Sequence, residues 1–474
     1  MSARPTTERT LRNFARACGG RLEGADRTFA GVSSDSRTLS AGDLFISLRG
    51  PRFNGNEFVG AALAAGAAGA LVDASQPQAL AQIVVADTQV ALSAAGHAWR
   101  QALDIPIVGV AGSNGKTTAK EMTAAILSLA GSTLATRGNL NNHIGVPLTL
   151  LRLEPGHRFA VIEMGANRAG EVAELVKVAR PSVGLITNAG AEHLEGFGSL
   201  EGVARAEGET VEGLAADATA VLNADDEFVS LWRGMTPARV VTFGIKSAAD
   251  FRAADLRTTL GAEGFLTRFH LSSPLGQAEI ALRLGGRHNV ANALGAAAAA
   301  AAAGATLEHI VAGLGTMRPV PGRLQLKQAA CRAWIIDDSY NANPSSVRAG
   351  IEVLAAIEGQ RWLVLGDMAE LGDFADDAHA QIGAFAREHG VERLLATGPL
   401  AALAVERFGT GGQWFPDTEA LTRELLRALA GLSAGGAASG AANVRLLVKG
   451  SRVNRLERVV AALVGNANDN SDQH

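Results

Sequence analysis

The sequence predicts an α/β protein divided into several compact units, and three observations carry that reading. Its 474 residues exceed the roughly 250 to 300 that a single hydrophobic core spans. Apolar, β-branched runs alternate with helical stretches, the pattern of βαβ units around a mostly parallel sheet. The segment MRPVPGRL (Met317 to Leu324) holds two prolines and a glycine that break any helix, and reads as a linker between two such regions.

The elements follow in order. Leu11, Phe14 and Ala15 are spaced for an amphipathic helix, a reading favoured over a transit peptide built on the four early arginines. GVSSDSRTLSAGDLFISLRG and FVGAALAAGAAGALV then read as a polar turn region, a strand and an Ala-rich helix, a small α/β unit ending near residue 85. From about residue 104, IPIVGV, FAVIEMG, VGLITN, TAVLNADD and VVTFG are expected strands, with the chemistry in the turns that follow them. Between about 250 and 285, GFLTRFHLSSP and AEIALRLGG read as antiparallel hairpins. NALGAAAAAAAAGAT (Asn292 to Thr306) reads as a buried helix, because alanine is the best helix former and packs closely. Beyond the linker, AWIIDDSYNANP, RWLVLGDM, RLLATG and VRLLVKGS alternate with helices in a second α/β domain, and the tail GNANDNSDQH is expected to fray.

Composition narrows the function classes. Hydrophobic residues at 47% and charged residues at 19% exclude a disordered chain. A net charge of −4 without any long basic run argues against a nucleic-acid partner. Cys18 and Cys331 are too few for a disulfide framework and suit a reducing compartment. With no apolar stretch approaching about 18 residues, the expectation is a cytoplasmic protein without membrane insertion, taken as a monomer.

IVGVAGSNGKTTAKEM (Ile107 to Met122) carries the most chemistry. The commonest phosphate loop, G-x-x-x-x-G-K-[ST], needs a glycine where this chain has Val110; glycines stand at 109 and 112 instead. A strand still leads into the loop and a helix out of it. Glycines let backbone N–H groups turn onto an anion, the helix N-terminus adds its positive end, Lys116 brings a charge and Thr117 a hydroxyl for Mg²⁺. Gly112, Ser113, Asn114, Gly115, Lys116, Thr117 and Thr118 are therefore candidate nucleotide ligands, against the plainer reading of a helix N-cap turn. A carboxylate must share the metal. Glu163 stands at the end of a strand, facing the crevice above the sheet, and His193 follows the next strand. Taken singly, each is more often a surface or core residue.

GSNGKTT resembles the G-[ST]-x-G-K-[ST]-[ST] loop of the Mur ligases and folylpolyglutamate synthases, ATP-dependent enzymes that form amides. Further segments extend the resemblance to the Mur ligases over about residues 25 to 460: GNLNNHIGVPLTLL from Gly138, EMGANRAGEVAEL from Glu163, GRHNVANAL from Gly286, PVPGRLQ from Pro319, DDSYNANPSSVRAG from Asp337 and LGDMAELG from Leu365. The resemblance implies three domains: a UDP-binding domain at 1–86, a central P-loop ATPase domain with a mostly parallel sheet at 87–318, and a Rossmann-like C-terminal domain at 319–474. SYNANP resembles the members that join D-alanyl-D-alanine to UDP-N-acetylmuramoyl-tripeptide in peptidoglycan synthesis. Those that add the third residue usually carry an Asp-Asn-Pro-Arg signature, which is missing here. The implied reaction uses ATP and Mg²⁺ and passes through an acyl phosphate.

Carried over residue by residue, Lys116 contacts the β- and γ-phosphates, Thr117, Glu163 and His193 serve the metal, and Asn289 binds adenine. Arg323 and Asp338 would reach phosphate and ribose from beyond the linker, so the site is complete only when the C-terminal domain closes. Ser36 and Arg37 are the implied UDP contacts, with Asn142, Tyr340, Asn341 and Asn343 on the remaining substrate.

Two segments depart from the family pattern. Most members carry a carbamylated lysine in a segment like A-K-A-K-G-E, whereas ARAEGE (Ala204 to Glu209) has Glu207 there. Its own carboxylate is expected to replace the carbamate, making Glu207 catalytic with Lys116, Glu163, His193 and Arg323; the plainer reading is a helix-surface charge. FNGNEF (Phe53 to Phe58) lacks the Asp and His often found there. Two other functions stay open, a folate-polyglutamylating ligase and a nucleotide-controlled switch without acceptor-dependent phosphate release.

Overall fold

The computed structural model describes residues 7–465 apart from 52, 79, 262 and 435–439, so all of the tail but Gly465 lies outside the described residues. The first helix, Leu11–Cys18, starts where the Thr10 hydroxyl accepts from the Asn13 N–H and stops at Gly19, whose left-handed φ of 68° favours glycine. It buries Leu11, Phe14 and Ala15, the three that its spacing singles out. They pack over a five-stranded sheet ordered Arg21–Glu23, Gln82–Val84, Gly69–Val72, Leu44–Ile46 and Val32–Ser33, antiparallel only at the first pair. The helix Thr88–Ala102 returns to this core, with Ala91, Leu92 and Ala95 in the same cluster as Leu11.

The central sheet has nine strands, ordered from Gly276–Leu282 through Gly264–Ser273, Phe251–Gly261, Arg239–Gly244, Thr219–Asn223, Val183–Ile186, Ile107–Ala111 and Phe159–Glu163 to Thr133–Ala135. The expected hairpins are there: Phe251–Gly261 joins the edge strand Arg239–Gly244 in parallel, and Gly264–Ser273 and Gly276–Leu282 follow it antiparallel. Every residue of Ile107–Ala111 is buried, which is why its sequence is continuously apolar rather than alternating. This strand lies between Phe159–Glu163 and Val183–Ile186, so the chain order reverses there. Ligands of open α/β sheets bind beyond the strand ends at such a reversal.

The Ala-rich stretch forms the helix Arg287–Ala302, with Ala296 to Ala300 all buried. Small side chains bring its backbone close to the sheet: a Cβ on Gly295 would stand 3.1 Å from the Phe243 ring. Past the linker, a six-stranded sheet runs Gln325–Gln328, Trp334–Asp338, Val444–Lys449, Gln360–Gly366, Arg393–Thr397 and Gly412–Phe415, antiparallel only at its first pair. Among the described residues no helix is long and apolar enough to cross a membrane.

Candidate active site between the central and C-terminal domains

The phosphate loop is shaped before any anion arrives. Gly112 has φ 123°, and a Cβ there would stand 2.1 Å from Thr187 Oγ1. Gly115, at φ 83°, opens the 15-residue helix Lys116–Ala130, and its Cβ would collide with Asn292 Oδ1 at 2.2 Å. Both positions therefore exclude a side chain. The neighbouring strand turn holds the loop open: Ser113 N–H donates to Asn188 O (2.9 Å), Asn114 N–H to Asn188 Oδ1 (3.0 Å) and Thr187 Oγ1 to Asn114 O (2.7 Å). These bonds fix the shape of the loop and occupy the Ser113 and Asn114 N–H groups, so the N–H groups opening the helix Lys116–Ala130 are the ones a phosphate would meet.

Lys116 Nζ donates to Ser113 O at 3.1 Å and to Glu192 Oε1 at 3.0 Å, and also bonds Gly112 O. Burial disfavours its charge, but Glu192, Glu207 and Glu163 outweigh that and hold its pKa above the ordinary lysine value. Glu207 is no surface charge. It lies buried on the helix Leu200–Glu212, where Oε2 accepts from the Gly112 N–H at 2.7 Å. Burial pushes its carboxyl up to about 7, with Lys116 opposing and Glu192 adding to the rise.

Glu163 ends its strand with Oε1 accepting from Asn141 Nδ2 at 2.9 Å, while Oε2 is buried with no hydrogen-bond partner among the described residues. An orphaned carboxylate oxygen is costly unless a cation meets it, so the donor set fits a hard divalent ion. Among the described residues no three His, Cys, Asp or Glu side chains group around a metal. An ion that keeps waters and shares substrate phosphates, as Mg²⁺ does, needs no such cage.

Two cavities meet at this loop. One, of about 360 Å³, is lined by Lys116, Thr117, Asn142, Glu163, Glu192, His193, Arg323, Tyr340, Asn341 and Asn343. The other, of about 330 Å³, is lined by Asn114, Gly115, Thr118, His288, Asn289, Arg323, Asp338 and Lys449. Arg323 faces both, with its guanidinium 4.3 Å from the Tyr340 ring centre. Asn289 is buried and donates to Gly285 O at 2.8 Å. Asp338 accepts from Lys449 Nζ at 2.6 Å and from the Leu324 N–H at 3.1 Å, so it is a paired charge, held in place. Asn142 Oδ1 accepts from the backbone of Ile144 and Gly145.

The domains are closed on one another. Asn343 Nδ2 donates to Asn114 Oδ1 at 2.8 Å, and Asn114 Nδ2 donates to Ser345 Oγ at 3.0 Å. Ser36 and Arg37 line a separate pocket in the N-terminal domain with Phe45, Phe53 and Phe58. Arg37 there is exposed and pairs with Asp35 at 2.7 Å.

Four residues at the site escaped the sequence reading. Glu192 directly precedes His193 in the loop after the strand Val183–Ile186, and Lys449 ends the VRLLVKGS strand, so a search for charges at strand ends and in the loops after them would have found both. His288 lies in the helix Arg287–Ala302, where burial pushes its imidazole down to about 4 and keeps it neutral. Glu370 has no signal in the sequence beyond its place in LGDMAELG.

Fold and site together define an enzyme family, and this chain belongs to the Mur ligases. Residues 28–111 match the Mur ligase family catalytic domain, 110–300 the Mur ligase middle domain, and 322–452 the Mur ligase glutamate ligase domain. Among relatives, the UDP-N-acetylmuramoyl-tripeptide--D-alanyl-D-alanine ligase of Escherichia coli (strain K12) is 43% identical over 96% of this chain and 98% of its own. The crystal structure of MurF from Acinetobacter baumannii, 33% identical, superposes with a TM-score of 0.89 over 97% of this chain and all of that one. MurF ligase from Thermotoga maritima in complex with ADP, 25% identical, gives 0.78 over 92% and 97%.

Proposed function

We propose that this chain is an ATP-dependent ligase joining D-alanyl-D-alanine to UDP-N-acetylmuramoyl-tripeptide, which yields the UDP-muramoyl-pentapeptide, ADP and phosphate for peptidoglycan synthesis. One observation carries the reading: the phosphate loop and the SYNANP segment, from different domains, wall the same cavity. The tripeptide carboxylate attacks the γ-phosphorus, and the β–γ bridging oxygen leaves with ADP. The dipeptide amine then attacks the resulting acyl phosphate at carbon, losing a proton, and phosphate departs with the C–O bonding pair. Such chemistry needs positioning and charge neutralisation rather than a nucleophilic side chain.

Lys116 and Arg323 neutralise the transferring phosphoryl group. Asn289 takes adenine and Asp338 the ribose; Thr118, Ser113 and Asn114 complete the nucleotide cradle with Gly112 and Gly115. Mg²⁺, held by Thr117, Glu163 and His193, would supply further charge neutralisation on the phosphates. Tyr340, Asn341, Asn343 and Asn142 receive the peptide substrates, and the Ser36–Arg37 pocket takes the UDP end. The protein acts as a cytoplasmic monomer on small molecules.

Glu207 stands at the place of the carbamylated lysine and supplies the equivalent carboxylate. Glu207→Lys should then turn over faster with added bicarbonate while the wild type ignores it; equal indifference in both would remove this role.

The function is tested by phosphate release from Mg·ATP with UDP-N-acetylmuramoyl-tripeptide, with and without D-alanyl-D-alanine, following the nucleotide product by mass. Release that depends on both substrates and a pentapeptide product are expected. ATP binding without acceptor-dependent release would favour a nucleotide switch, and a glutamate acceptor in place of the dipeptide would favour a folate-type ligase.

A further inference from the structure

We infer that Glu370 is a positioning residue for His193, delivered across the domain interface when the C-terminal domain closes. The inference rests on the proposed role of His193 as a metal ligand. His193 Nδ1 pairs with a Glu370 carboxylate oxygen, which places the ring N–H on that side and leaves the lone pair on Nε2. Imidazoles that ligate metals almost always donate their other N–H to such a partner, which settles tautomer and ring orientation.

Both members of the pair are held in a backbone conformation that side-chain-bearing residues rarely adopt, with φ of 49° at His193 and 64° at Glu370. Such outliers persist only where the surroundings over-determine them, and they gather at functional sites. Here the surroundings do so. The buried His379 accepts from the Met368 N–H at 2.9 Å, Ala369 N–H donates to Ser451 Oγ at 2.9 Å, and Ser451 N–H donates to Asp367 O at 3.0 Å. On the facing side, Leu194 packs into one apolar cluster with Met368 and Leu371. The Glu370 side chain is 57% exposed, so the contact adds little to stability. Its effect is geometric, and it makes the metal site sensitive to whether the domains are closed.

The test titrates Mn²⁺ into the full chain with a non-hydrolysable ATP analogue and UDP-N-acetylmuramoyl-tripeptide. Glu370→Ala should weaken Mn²⁺ binding by about 10- to 100-fold and raise KM for Mg²⁺ more than it lowers kcat at saturating metal. Glu370→Gln, whose amide oxygen still accepts from Nδ1–H, should lie between it and the wild type. In a His193→Ala background, Glu370→Ala should have no further effect. Wild-type Mn²⁺ affinity in Glu370→Ala, even with a less compact chain by X-ray scattering, overturns the inference, as does an undiminished loss in the His193→Ala background. If His193→Ala alone leaves Mn²⁺ affinity unchanged, the metal role of His193 fails and Glu370 with it. Sensitivity to His193→Ala but not to Glu370→Ala removes only Glu370.

Discussion

Lys116→Met is expected to lower kcat by about 10²- to 10³-fold with the fold intact, the loss typical of removing one donor aimed at charge that develops in a transition state. Methionine matches the lysine stem in length and flexibility, so the change removes the cation with little loss of packing. Nζ is bound to Gly112 O, Ser113 O and Glu192, oxygen acceptors of the kind that a phosphate also offers. Without the cation, Glu192, Glu207 and Glu163 face one another, and Glu207 loses the group that holds its pKa down. Coupled phosphate release, nucleotide affinity by calorimetry and far-UV circular dichroism separate the contributions. Turnover at the wild-type rate would remove Lys116 from the phosphate contacts.

Glu207→Gln should make the free protein more stable at pH 8, by on the order of 3 kcal/mol, with the gain vanishing towards pH 4.5. The sign follows from burial. The folded carboxyl titrates near 7 rather than at its ordinary 4.5, so between those values the native state binds more protons than the unfolded chain. Stability contributed by this group is therefore complete below pH 4.5 and is lost as pH rises through about 7. A displacement of that size corresponds to on the order of 3 kcal/mol. Glutamine never ionises, yet its carbonyl still accepts from the Gly112 N–H. Urea unfolding of both proteins at pH 5 and pH 8 checks this; a difference independent of pH would show that ionisation of Glu207 is not the cause. Catalysis should move the other way, since the proposed reaction uses that carboxylate, a trade of activity for stability common at active sites.

What could be read from residues alone had local causes. A strand, a glycine turn and a helix in one continuous stretch define the phosphate loop, whose geometry depends on the residues at 112 and 115 themselves. Leu11, Phe14 and Ala15 declare a buried face because helical spacing puts them on one side, and the Ala-rich helix is readable because its second half, from Gly295 on, holds only small side chains. Contacts between segments far apart in the chain were not legible in that way. Asn343 and Asn114 are 229 positions apart and Glu192 and Lys116 are 76 apart, whereas periodicity reports only on neighbours within a turn or a strand. Helical spacing could likewise say which face Glu207 occupies, but not that burial there raises its pKa while Lys116 and the Gly112 N–H oppose the rise.

The sequence by itself therefore determined the α/β class, the βαβ alternation, the hairpins and the phosphate loop, because each arises from contacts between residues near in the chain. Only the tertiary structure decided that the domains are closed, that three carboxylates surround Lys116, that Glu163 keeps an unpaired oxygen, and that Glu370 reaches His193. Charge pairing and burial depend on which distant surfaces meet, and that is settled when the domains pack.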